Sequence, residues 1–122
     1  MSEIRATTIS DETGNGPIAL TKQSAAKVWI NLDGVGTIFV SGSFGVSSAV
    51  DNSTGNYTVN LSNNMSDEKY SVSGSSTAGS GAYTVFAAAS YTVGSYTMFT
   101  SDGGSGQEDK DPVSSMVQGD LA

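Results

Sequence analysis

The chain has 122 residues, with 15 Gly, 2 Pro, no Cys, no His and a net charge of −7. That length supports one domain around one core, burying about two-thirds of the unfolded surface. Without Cys or His there is no disulfide, thiolate zinc site, iron–sulfur cluster, Ser-His-Asp triad or imidazole switch.

Five basic residues stand against twelve acidic ones. Neutralising phosphates needs the opposite balance, so no nucleic-acid partner is expected. No apolar run approaches the ~20 residues of a membrane span, and no membrane partner is expected. Met1-Ser2-Glu3-Ile4-Arg5 lacks the apolar core of a signal peptide.

Residues 1–24 read as an arm ahead of a domain over 25–122. Ile4, Ile9, Ile18 and Leu20 are its only large aliphatics and its candidate assembly residues. The acidic turn Asp11 to Pro17 divides it. From residue 25 the apolar pattern has period 2. Val28, Ile30 and Leu32 share one face of a predicted strand, so Trp29 points to the other. Asp33-Gly34 is a turn signal. A second strand is predicted over Gly36–Val40, continuing through Ser43–Val46 beyond a glycine that marks a predicted bulge.

Ser47–Val50 and Asn56–Leu61 flank Asp51-Asn52-Ser53-Thr54-Gly55 and predict a hairpin. In its second arm Tyr57, Val59 and Leu61 alternate with Thr58 and Asn60. Tyr70 and Val72 alternate with serines in the next strand, and Ser75–Gly81 is a predicted loop. Tyr83–Ala87 follows. Tyr91–Thr100 is one long strand or two short ones broken at Gly94. Ser101–Pro112 is an acidic loop, and Val113–Leu121 is a candidate closing strand. Seven or eight strands at this spacing predict an all-β fold, a small antiparallel sandwich or flattened barrel. Its candidate core or packing residues are Val28, Trp29, Ile30, Leu32, Phe44, Tyr57, Val59, Leu61, Tyr70 and Val72.

The carboxylates Asp33, Asp51, Asp67, Glu68, Asp102, Glu108, Asp109 and Asp111 all fall in predicted turns or loops. Such carboxylates usually form Asx turns or solvate the loop rather than act as acid–base pairs. The 102–111 group lacks the alternating order of an EF-hand, so a solvated loop outweighs Ca²⁺ binding. No catalytic residue, metal or cofactor is expected. Aromatics on Ser/Thr-rich strands suit core or inter-subunit packing first and sugar stacking second.

One motif string is more specific than any of these signals. Ala26-Lys27-Val28-Trp29-Ile30-Asn31-Leu32-Asp33-Gly34-Val35-Gly36-Thr37 resembles the A-K-x-W-x-N-F-x-G-x-G-T opening of a module widespread in tailed-phage virion proteins. Ser43 to Ser48 is similar to its S-F-N-V-S-S. Asp51 to Leu61 is similar to its D-N-G-T-G-D-Y-T-V-N-F, and Asn64 to Val72 to its A-M-x-D-x-N-Y-x-V. Leu32 and Gly45 replace the usual Phe and Asn, and residues 116–120 lack the usual alternating ending.

The resemblance implies a non-catalytic β-sandwich on the exterior of a virion. A module with its own arm suits a capsid decoration (cement or head-fibre) subunit, a homo-oligomer expected to be a trimer, bound to the major capsid protein or other virion proteins. The alternative it leaves open is a tail-fibre or adaptor component that binds host-surface glycans or receptors.

Overall fold

A computed structural model describes residues 25–77, 85–103 and 106–122. The expected arm, with Ile4, Ile9, Ile18 and Leu20, lies outside the described residues. Eight strands follow in chain order. They are β1 (Val28–Asp33), β2 (Phe39–Phe44), β3 (Val46–Ser53), β4 (Asn56–Leu61), β5 (Ser71–Ser76), β6 (Val85–Thr92), β7 (Ser95–Ser101) and β8 (Val113–Gln118). They form two antiparallel four-stranded sheets, ordered β2-β1-β8-β5 and β3-β4-β7-β6. The fold is the all-β sandwich that the alternating pattern predicts, with no helix among the described residues.

Alternation decides which side chains meet between the sheets. From the first sheet come Val28, Ile30 and Leu32 of β1, with Val113 and Val117 of β8. From the second come Tyr57, Val59 and Leu61 of β4, with Tyr96 and Met98 of β7. Met65 and Tyr70 close one end. Val72 is half-buried against this cluster. Ser115 is also buried and bridges the layers. Its Oγ lies 2.7 Å from the Tyr96 hydroxyl, and it donates to Met98 Sδ at 3.1 Å. Tyr96 thus fills the core without an orphaned hydroxyl. Burial pushes that hydroxyl up to about 12, partly offset by the Ser115 bond.

Trp29 and Phe44 do not belong to the core. Trp29 is 44% exposed and Phe44 is 61% exposed, both on the outer face of the first sheet. For Trp29 this is the face opposite Val28 and Ile30. Phe44 is its direct partner across β1–β2, so it shares that face.

Several boundaries differ from the expected ones for local reasons. The strand expected from Gly36 begins at Phe39. Upstream of it, Asp33 Oδ1 accepts the Val35 N–H at 2.9 Å and closes an Asx turn. A bulge between Val40 and Gly42 then faces Asn31 and Leu32, and the strand continues to Phe44. Only Gly45 separates β2 from β3, and there the chain leaves one sheet for the other. β3 runs through Ser53, shortening the expected five-residue turn to Thr54-Gly55. Asn52 sits at a register shift in that strand, and its Nδ2 donates to Asn56 Oδ1 and Thr58 Oγ1. β5 extends to Ser76, into the expected loop, because β8 pairs with it as far as Val113. The 91–100 stretch is two strands, with Val93-Gly94 turning between β6 and β7.

The closing strand ends at Gln118 and lies inside the first sheet, between β1 and β5. Leu121, which the sequence places in it, instead makes an isolated bridge with Met65.

Candidate functional site

Both ends of the sandwich are closed by polar contacts. At one end three segments converge: the turn after β1, the β3–β4 turn and residues 107–110. Asp109 Oδ1 accepts the Gly55 N–H at 2.7 Å and the Tyr57 hydroxyl at 2.8 Å. The Gly34 carbonyl lies 3.2 Å from the same hydroxyl, and the Gly34 N–H donates to the Lys110 carbonyl at 2.9 Å. Burial first, and then the Asp109 carboxylate, push the Tyr57 hydroxyl well above the ordinary tyrosine range. Thr100 Oγ1 donates to the Glu108 carbonyl at 2.7 Å. The whole Lys110 side chain is buried, and its ammonium pairs with the half-exposed Glu108 carboxylate.

Of the loop acids, Asp33, Asp67, Glu108 and Asp109 thus have protein partners. Asp67, like Asp33, closes an Asx turn, accepting the Lys69 N–H at 2.7 Å. Among the described residues no three acidic side chains gather as a metal site. The role of Asp109 is not apparent from its position in an acidic loop, because its partners are more than 50 residues away. Asp109→Ala is expected to cost about 1–3 kcal/mol, since the Gly55 N–H loses its acceptor and the buried Tyr57 hydroxyl keeps only the longer bond to the Gly34 carbonyl. Urea unfolding of the two proteins measures this, and equal midpoints would show that the clamp adds nothing.

At the other end the Tyr70 hydroxyl lies 2.8 and 2.7 Å from the carbonyls of Thr92 and Ser95. Its ring meets Tyr91 edge-on, with centroids 5.1 Å apart. Burial pushes its hydroxyl up to about 12, with Tyr91 adding to the effect. Met65 N–H donates to Val93 O at 2.7 Å, and Ser66 N–H to Asp120 O at 2.8 Å. The loop between β4 and β5 is thus tied to the β6–β7 turn and to the chain end.

The surface with chemical character is the outer face of the first sheet. Phe44, Trp29, Met116 and Ser73 are successive cross-strand partners over β2, β1, β8 and β5. Gly42, Asn31, Ser114 and Ser75 form the next row. An aromatic and thioether row therefore lies beside an amide and hydroxyl row, about 7 Å away along the strands. Asn31 Nδ2 donates to Ser114 Oγ at 3.1 Å. Trp29 leans over Gly42, where an added Cβ would lie 3.2 Å from Cη2 and Cζ3 of the indole. An open groove of about 500 Å³ runs between Trp29 and β5. Trp29 faces outward by alternation. The rest of the groove comes from strands far apart in sequence, and serines alternating with Val72 and Val113 were the available signal.

Compared with family models, curated proteins and solved structures, the chain finds no match.

Proposed function

We propose that this chain is a non-catalytic structural subunit of a tailed-phage virion, a capsid-exterior decoration protein that acts as a small oligomer. The observation that carries the reading is what the residues of the phage-like motif string do. Trp29 and Asn31 occupy the outer face, whereas Val28, Ile30, Leu32, Tyr57, Val59 and Leu61 fill the core. Gly34 and Gly55 meet the Tyr57–Asp109 clamp. The string thus specifies a framework, which is what a building part requires. The acidic balance suits an outward surface better than contact with packaged DNA.

The oligomer contact is assigned to the edge strand β2 at its first residue, Phe39, which is 66% exposed and lies at the end of the strand away from the Phe44–Trp29 pair. An edge with free backbone groups and exposed aromatics is a natural place for another chain. The arm, with its isolated aliphatics, is assigned to the capsid.

The test joins particle labelling to native mass. Antibody against this chain is expected to decorate virion heads, and the purified protein to run as a trimer. Labelling confined to tails would overturn the capsid assignment, and a clean monomer at micromolar concentration the oligomer. Deleting residues 1–21 is expected to abolish incorporation while the sandwich stays folded.

A further inference from the structure

We infer that the outer face of the first sheet is a binding site for neutral saccharides, with Trp29 as its stacking platform. This rests on the groove alone and not on the virion reading. A sugar ring has an apolar face of C–H groups and a rim of hydroxyls that both donate and accept. The face offers the complement in adjacent rows: Trp29 and Met116 in one, Asn31, Ser114 and Ser75 in the next, with Ser73 closing the first.

Trp29 is 44% exposed and Met116 is 47% exposed, so both can take an apolar surface. Contact with Gly42 holds the indole against the sheet. The Asn31 amide is oriented by Ser114, while the side-chain hydroxyls of Ser73 and Ser75, whose backbones pair with β8, have no hydrogen-bond partner among the described residues. The groove, at about 500 Å³, falls within the roughly 300–1,000 Å³ of small-molecule sites.

Charge selects the class of ligand. The groove is lined without Asp, Glu, Lys or Arg in a chain of net charge −7. A cation finds no carboxylate there, and an acidic sugar finds no base and a repelling background. A second copy carries the same negative charge and would bring serines against serines. A neutral polyhydroxyl ligand meets neither penalty. Shallow sites of this kind bind weakly one at a time and gain strength by repetition in an oligomer.

Trp29 is the only tryptophan, so its emission reports the site directly. The experiment screens the full chain against an array of neutral and acidic oligosaccharides, then titrates the neutral hits while recording tryptophan emission. A saturable change at millimolar concentration is expected, with no acidic hits. Asn31→Ala should weaken binding about threefold to tenfold through the lost hydrogen bonds. Trp29→Ala should abolish array binding while circular dichroism stays that of the parent. Ser48→Ala, on the other sheet, should leave binding unchanged. No neutral hit up to about 10 mM would overturn the inference. So would emission that shifts with protein concentration alone, which would assign the face to a second copy. Hits that survive Trp29→Ala would equally place the sugar elsewhere.

Discussion

Replacing Gly55 with alanine is expected to destabilise the fold by about 3–5 kcal/mol, a large share of a small domain's stability. Gly55 has a φ of +62°, a conformation unfavourable to L side chains. A methyl group there would also lie 2.5 Å from the Thr100 carbonyl oxygen, 2.7 Å from the Glu108 nitrogen and 2.9 Å from its oxygen. All three are backbone atoms, so no side chain can swing away. Relief requires moving the turn, which also draws the Gly55 N–H from Asp109 and loosens the acceptor of Tyr57.

Gly36 supplies the control. Its φ is +70°, but an added Cβ would meet nothing within 4 Å. Gly36→Ala should therefore cost only the backbone term, about 1 kcal/mol. Urea unfolding should lower the midpoint of the Gly55 variant far more, with little change in slope. Equal losses would show that the close approach is not what makes Gly55 necessary.

The second large effect is alkaline unfolding. Tyr57, Tyr70 and Tyr96 are all buried, and burial raises each hydroxyl above its ordinary value, Tyr70 and Tyr96 to about 12. In the unfolded chain a tyrosine ionises near pH 10. Above that pH the unfolded state has released protons that the folded state still holds. Raising the pH then favours unfolding. The stabilisation is intact below about pH 10 and is lost progressively towards pH 12, by about 5 kcal/mol or more for the three together.

Unfolding followed by circular dichroism at fixed urea should show a midpoint that is flat near neutrality and falls steeply above about pH 10. Tyrosinate absorbance should appear together with unfolding rather than before it. Three tyrosines titrating freely in a folded chain would contradict the account. Tyr96→Phe should shallow the fall, because one of the coupled protons is gone.

The sequence foretold the strands whose two faces differ chemically. In β1 and β4 the large apolar residues at every second position, Val28, Ile30 and Leu32 and Tyr57, Val59 and Leu61, are the ones buried, and Trp29 falls on the other face. Edge strands were harder to delimit. β2, β3 and β5 have a neighbour on one side only and carry many exposed small polar residues, so their ends follow turn and pairing geometry. Phe44 shows the same limit. Its side chain faces outward because it pairs with Trp29, and no local pattern reports that register. The candidate saccharide face was legible at Trp29, whose alternation with Val28 and Ile30 turns it outward. It was not legible at Met116 or Ser73, which reach it through strands joined across most of the chain. The Asp109 clamp was hidden likewise, since acids in Gly-rich loops look alike until their distant partners are placed.

The position of β8 sets an order on folding. β1 and β5 each need it as a neighbour, and it pairs with both along nearly its full length. Until residues 113–118 leave the ribosome, the first sheet has a vacancy in its middle rather than at its rim. The second sheet has no such debt, because β3, β4, β6 and β7 all precede β8 and pair among themselves. A nascent chain can therefore assemble one layer early while one edge of β1 waits for its neighbour. Non-local pairing of this sort is slow, and unpaired strands invite intermolecular association in the interval. Late insertion makes the last strand the one that commits the molecule. A chain halted before Val113 would present two open edges facing each other across a gap.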